Sequence, residues 1–235
     1  MSIKTLQYNI KFETIPNIHR FLNVIEDKMS EWYSAPNVFS YPPNVQSVDA
    51  PRIVLYSKNE AKSQVIFSQL SASIIEQDVE NGKYEVLEKK IKKLHELLKE
   101  MNIKDYLFLG LSATVEKRDE VENAAKWVCD KVGKEYEDDV YESAFALVRK
   151  REKQFFINEK ISSQKDIPNS LGLVSDNFIT FTNKKDIKDF ILYEIDINDR
   201  LNYIETAEKT SMDDAESRYE IISQILDEKL KDWSL

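Results

Sequence analysis

Two groupings of residues carry chemistry in their types and spacing. Glu194-Ile195-Asp196 lies in a run where apolar and polar residues alternate from Tyr193 to Asn198. Residues two apart on a strand share a face about 7 Å apart. Glu194 and Asp196 therefore form a carboxylate pair able to hold Mg²⁺, or to divide acid and base roles on a phosphate ester. The alternation also has a plainer cause. Ile191, Tyr193, Ile195 and Ile197 make one apolar face, and the carboxylates are its solvated reverse. The metal role of Glu194 and Asp196 is thus the alternative reading, and no residue is assigned as catalytic.

The second grouping is Arg149-Lys150-Arg151-Glu152-Lys153, followed after Gln154 by Phe155 and Phe156. Cations beside aromatics suit phosphate contact with base stacking. They suit a protein-binding surface equally, because Arg and aromatic side chains dominate interface hot spots. The interaction site expected from sequence is Arg149, Lys150, Arg151, Lys153, Phe155 and Phe156.

Other reactive types do not assemble. His19 and His95 are the 2 histidines, and neither has a ligand partner at metal spacing. A solvated or hydrogen-bonded structural role is expected for both. The single Cys129 reads as a small buried hydrophobe near the end of a helix, away from the N-terminus that would activate a thiol. The 4 glycines, Gly82, Gly110, Gly133 and Gly172, are too scattered for a phosphate loop. Gly110-Leu111-Ser112 lies inside a strand pattern, so no nucleophile elbow exists. Asp138-Asp139 has no partner pattern, and Asp213-Asp214 falls in a helix's first turn, where the dipole favours it. The run Lys89-Lys90-Ile91-Lys92-Lys93 reads as a solvated helix face paired with Glu85, Glu88 and Glu96. No cofactor is implied.

The elements that must position these groups follow from hydrophobic period. Leu6, Tyr8, Ile10 and Phe12 alternate as a half-buried strand. Ile18, Phe21, Leu22, Ile25, Met29 and Trp32 recur at helical spacing. Residues 34–51 hold Pro36, Pro42, Pro43 and Pro51 and read as an irregular loop, with an edge strand at 44–48. Strands are expected at 52–57 and 64–77, then a helix on Tyr84, Leu87, Ile91, Leu94, Leu98 and Met101, then a strand over 105–117. That order is the split βαβ of ferredoxin-like domains. A short helix spans Val121 to Val132, ended by Gly133. Residues 143–161 read as a long strand whose charged part leaves the core as a protruding arm or hairpin. Strands at 171–174, 178–182 and 189–197 precede a closing helix through Tyr219, Leu226 and Trp233. The fold class is α+β: a ferredoxin-like antiparallel sheet with two helices on one face over 1–118, then a β-rich half closed by a helix over 119–235, the two making one unit.

Composition bounds the function. The chain has 235 residues, 42% hydrophobic, with 33 Lys+Arg against 42 Asp+Glu, a net charge of −9. That apolar content excludes disorder. The acidity disfavours nucleic acid as a partner, since broad binding needs a basic footprint, and leaves open an acidic surface that mimics DNA. No apolar run reaches a membrane span, and the polar–apolar alternation of the first residues is unlike a signal peptide. With one cysteine, cytoplasmic residence is expected. The expected partner is another protein, of unstated identity, or a second copy in a homodimer.

Three segments carry a family resemblance: Pro51-Arg52-Ile53-Val54-Leu55-Tyr56-Ser57, Tyr106-Leu107-Phe108-Leu109-Gly110-Leu111, and Tyr193-Glu194-Ile195-Asp196-Ile197 before the last helix. In their order the chain resembles a sporadically distributed family of prokaryotic proteins of about this length and unknown function. Where that family has Arg-Tyr after Gly-Leu, this chain has Ser112-Ala113. The resemblance implies a setting in host–phage conflict, defence or counter-defence, and supplies no catalytic residues.

Overall fold

The computed structural model describes residues 2–41, 47–58, 62–80, 84–118, 121–137, 140, 142–151, 154–166 and 188–233. Alternation builds its sheet. β1 (Ser2–Phe12) buries Leu6, Tyr8, Ile10 and Phe12, while Gln7, Asn9 and Lys11 stay half-buried on the reverse. The further strands are β2 (Asn37–Val38), β3 (Ile53–Tyr56), β4 (Ser63–Phe67), β5 (Ser71–Val79), β6 (Asp105–Lys117), β7 (Ala144–Arg151), β8 (Phe155–Asp166), β9 (Lys188–Asn198) and β10 (Thr210–Ser211). Among the described residues they form one ten-stranded sheet in the order β2-β3-β4-β5-β1-β6-β9-β8-β7, with β10 beside β6. Each ladder is antiparallel. The chain is therefore α+β.

Helices cover the apolar face. A 3₁₀ turn (Ile18–Phe21) leads into α1 (Leu22–Met29), which packs on α2 (Glu85–Glu100). The stripe Leu87, Ile91, Leu94 and Leu98 seats α2 against β5. α3 (Ala124–Lys131) lies on β8 and β9; Asn123 caps its start, its side chain accepting from Lys126 N–H at 2.9 Å. At its end Gly133 takes φ +69° and Lys134 N–H reaches back to the Cys129 carbonyl at 2.9 Å, a left-handed helix stop. α4 (Arg200–Thr206) touches β6 and β8, and α5 (Ala215–Trp233) crosses β6 and β9. No described helix is long and apolar enough to cross a membrane. The opposite sheet face carries Asn9, Ser112, Thr114, Glu194 and Asp196, all on one side by register.

Several sequence readings are corrected. The strand expected over 64–77 is a hairpin, because Ser68 breaks it: its Oγ accepts from the N–H groups of Leu70 and Ser71 at 3.1 and 2.9 Å. The proline-rich loop contributes Asn37–Val38 to the sheet, pairing with β3, while most of the strand read at 44–48 lies outside the described residues. Residues 143–161 are two strands and not one: β7 and β8 form an antiparallel hairpin, paired from Ala144 to Arg151, so of the two forms expected for the charged part it is the hairpin, and not a free arm, that bears Arg149, Lys150 and Arg151. Cross-strand hydrogen bonding and ion pairs to neighbouring elements hold it in the sheet. The strands read at 171–174 and 178–182 fall outside the described residues, and α4 and β10 had no periodic signal because each is so short.

Candidate binding cleft at the sheet edge

β7 ends the strand order, so one of its edges faces outward. Ser163 N–H donates to the Ser143 carbonyl at 2.8 Å, which fixes the ladder's phase. By antiparallel alternation, Phe145, Leu147, Arg149 and Arg151 then bond to β8, and Ala144, Ala146, Val148 and Lys150 turn their backbone groups outward. Among the described residues nothing pairs with that outer edge. The strand's second half is guarded by charge, and its first half, Ala144 to Val148, is not. There Phe145 is 39% and Val148 63% exposed.

On the helix side, β7 borders a cleft of about 290 Å³. Phe145, Leu147 and Ile161 form its apolar floor, Tyr193 and Trp233 its wall, and Lys131 and Arg149 its rim. The cleft lies between β7 and the C-terminal ends of α3 and α5, which supply Lys131, Val132 and Trp233. Trp233, in the last turn of α5, stacks on Tyr193 with ring centroids 4.5 Å apart, and lies 6.1 Å from Trp127. Lys131 Nζ stands over both indoles, at 5.2 and 5.9 Å. Glu159, its side chain only 10% exposed, accepts from Tyr193 Oη at 3.0 Å and pairs with Lys229 at 3.2 Å and Arg149 at 3.4 Å. Burial, reinforced by the Glu159 carboxylate, pushes the Tyr193 phenol well above its ordinary pKa, so it remains a neutral donor.

The basic run expected to bind a partner is dispersed by the fold. Arg149 faces Glu159, Lys150 reaches Glu205 of α4 at 3.1 Å, and Arg151 reaches Glu228 of α5 at 2.7 Å. Arg151 holds the Glu228 carboxyl below the usual range. Lys153 lies outside the described residues. Phe155 is fully buried, a core residue and no surface anchor, because it sits on the helix side of β8. Phe156, its neighbour, faces the other way, 5.3 Å beneath the Arg200 guanidinium.

Glu194 and Asp196 do share the open face, as strand geometry requires. One oxygen of each has partners: Lys160 Nζ donates to Glu194 Oε2 at 2.7 Å, and Asp196 Oδ2 accepts from the amides of Asn158 and Asn198, each at 2.8 Å. No group of three or more His, Cys, Asp or Glu placed to hold a metal occurs among the described residues. Cys129 is buried. His95 is also buried, its Nε2 2.7 Å from Tyr8 Oη.

Of the residues lining the cleft only Arg149 is a site residue expected from sequence; Lys131, Glu159, Tyr193 and Trp233 are among those missed. Tyr193 and Trp233 counted there as core-stripe positions, and no spacing rule joins residues from α3, β8, β9 and α5. The class defined so far is an α+β protein with a large antiparallel sheet, α1, α2, α3 and α5 on one face, and, among the described residues, an open edge beside an aromatic cleft. No protein-family model matches the chain, and no curated protein is significantly similar to it in sequence.

Proposed function

We propose that this chain is a non-enzymatic protein-interaction protein that binds an extended segment of its partner along the outer edge of β7. The observation that carries this reading is the half-edge Ala144 to Val148, which no other described strand pairs, with outward backbone groups and exposed Phe145 and Val148. Main-chain pairing to such an edge is a recurring mode of recognition. The reading moves the weight from the basic run as a cluster, in which Lys150 and Arg151 reach acids of α4 and α5 and Arg149 meets Glu159 through Nε alone, to the strand that bears it. Glu194 and Asp196, occupied by Lys160 and two amides, give less support to a metal-dependent enzyme. For the first half we propose a ferredoxin-like split βαβ; the order β4-β5-β1-β6 and the contact of α1 with α2 support it. A cytoplasmic site rests on the single cysteine, and a role in host–phage conflict rests on the family resemblance.

The test is Val148→Pro, which removes one outward N–H and leaves the β8 ladder whole. Affinity purification from the native host with the parent chain and this variant, read by mass spectrometry, should show a partner lost with unchanged circular dichroism. A partner retained in full would overturn edge pairing, and a partner that proves to be a second copy would make the protein a homodimer through the same edge.

A further inference from the structure

The partner segment has a chemistry of its own, set by what β7 and the cleft present together; this inference rests on edge pairing as proposed above. An added strand would continue the sheet, and its alternate side chains would stand beside Phe145, Leu147 and Arg149 on the helix side. The space over Phe145 and Leu147 is the apolar end of the cleft, walled by Tyr193 and Trp233. Two residues further along stands Arg149. Its side chain is 58% exposed and its one described partner, Glu159, is met through Nε at 3.4 Å. Terminal N–H groups are thus left to receive a carboxylate in the bidentate manner of a guanidinium.

Charge around the cleft points the same way. Lys131, Arg149 and Lys229 gather there against the carboxylates of Glu159 and Asp232, a cationic excess in a chain of net charge −9. An anionic side chain would be drawn to this spot, whereas most of the surface would repel it. Because every ladder of this sheet is antiparallel, an added strand of the same sense meets Arg149 first and Leu147 two residues later.

We infer that the β7 edge reads an extended peptide of the form acidic-x-apolar, its carboxylate on Arg149 and its apolar side chain in the cleft beside Leu147 and Phe145. Backbone pairing supplies the general affinity, and the two alternate side chains supply the selection.

Fluorescence anisotropy with short labelled β-forming peptides tests this on the full chain. The probes carry Glu-Thr-Leu, Lys-Thr-Leu or Glu-Thr-Ser at their centre, and a fourth carries Glu-Thr-Leu with N-methylated backbone. Replacing Glu by Lys, or Leu by Ser, should each weaken binding by roughly 10-fold or more, and N-methylation should abolish it. Arg149→Glu should reverse the preference between the Glu and Lys probes, and Arg149→Gln should erase it. Equal binding of the Glu and Lys probes, or an unchanged preference in Arg149→Glu, would overturn the recognition rule. If the native partner is still lost from Val148→Pro in that event, edge pairing itself stands. Binding of none of the probes would overturn the rule as well.

Discussion

Lys90 and Glu76 form an ion pair inside the helix–sheet interface: Nζ lies 2.7 Å from Oε1, with 6% and 16% of the two side chains exposed. Lys90 Nζ also donates to Ser63 Oγ at 3.0 Å, Ser63 donates its one proton to Glu76 at 2.8 Å, and Tyr33 Oη stands 2.8 Å from Ser63. Read with Tyr33 as donor, each proton has an acceptor, and the network ties α2 to β4 and β5. The sequence pattern places Lys90 on a solvated face among its lysine neighbours. The helix buries it instead, because position 90 adjoins the Leu87–Ile91–Leu94 stripe and a long lysine stem can lie under it. Lys90→Met leaves the Glu76 charge and a buried hydroxyl short of a donor and should cost about 3 kcal/mol. Lys90→Met with Glu76→Leu should recover most of that, as urea unfolding of the double-mutant cycle would measure.

Asp199 and His95 tie stability to pH with opposite signs. Asp199, 2% exposed, accepts from Leu109 N–H at 2.8 Å and from Tyr106 Oη at 3.1 Å, yet burial raises its pKa from 3.8 to about 6. Folding thus retains a proton that the unfolded chain has lost, and stability falls as pH rises between those values. His95 is the reverse: burial lowers its pKa from 6.5 to about 4, so stability is lost as pH falls through that window. Each slope is about 1.4 kcal/mol per pH unit, and in the parent chain they offset each other. Relative to the parent, Asp199→Asn should gain stability as pH rises from 4 to 6, by about 3 kcal/mol in total. His95→Gln should lose a similar amount over the same rise. Urea unfolding at a series of pH values would measure both differences.

Gly110 should not tolerate a side chain. A Cβ there would stand 2.8 Å from Asn198 Cβ and 3.0 Å from the Ile197 carbonyl oxygen, across the β6–β9 ladder. Backbone and a strand-locked Cβ cannot give way cheaply, so Gly110→Ala should destabilise by about 1–3 kcal/mol. The urea midpoint should fall with the slope unchanged.

Asp196 should prove a local structural acceptor. Asp196→Asn keeps one oxygen for the amides of Asn158 and Asn198 and should cost about 1 kcal/mol. Calorimetric titration with Mn²⁺ should show no saturable heat for either chain, and a saturable heat abolished by Asp196→Asn would instead favour the metal-dependent reading.

Local pattern by itself determined the strands at Leu6–Phe12, 105–117 and 189–197 and the helices through Leu87–Leu98 and Tyr219–Trp233, because burying one face imposes a period of 2.0 or 3.6 on those stretches. It also placed Glu194 and Asp196 on one face. Tertiary structure decided which of the noted residues could meet a partner. Phe155 and Phe156 are neighbours in sequence, but the pleat sends one into the core and the other to the open face. The basic run is continuous in sequence, and the fold hands its arginines and Lys150 to acids on β8, α4 and α5. The cleft draws Lys131, Glu159, Tyr193 and Trp233 from four separate elements. Periodicity reports only whether a residue faces inward; where the ends of α3 and α5 come to lie over the sheet, and so where a cleft is left beside β7, depends on contacts distant in sequence.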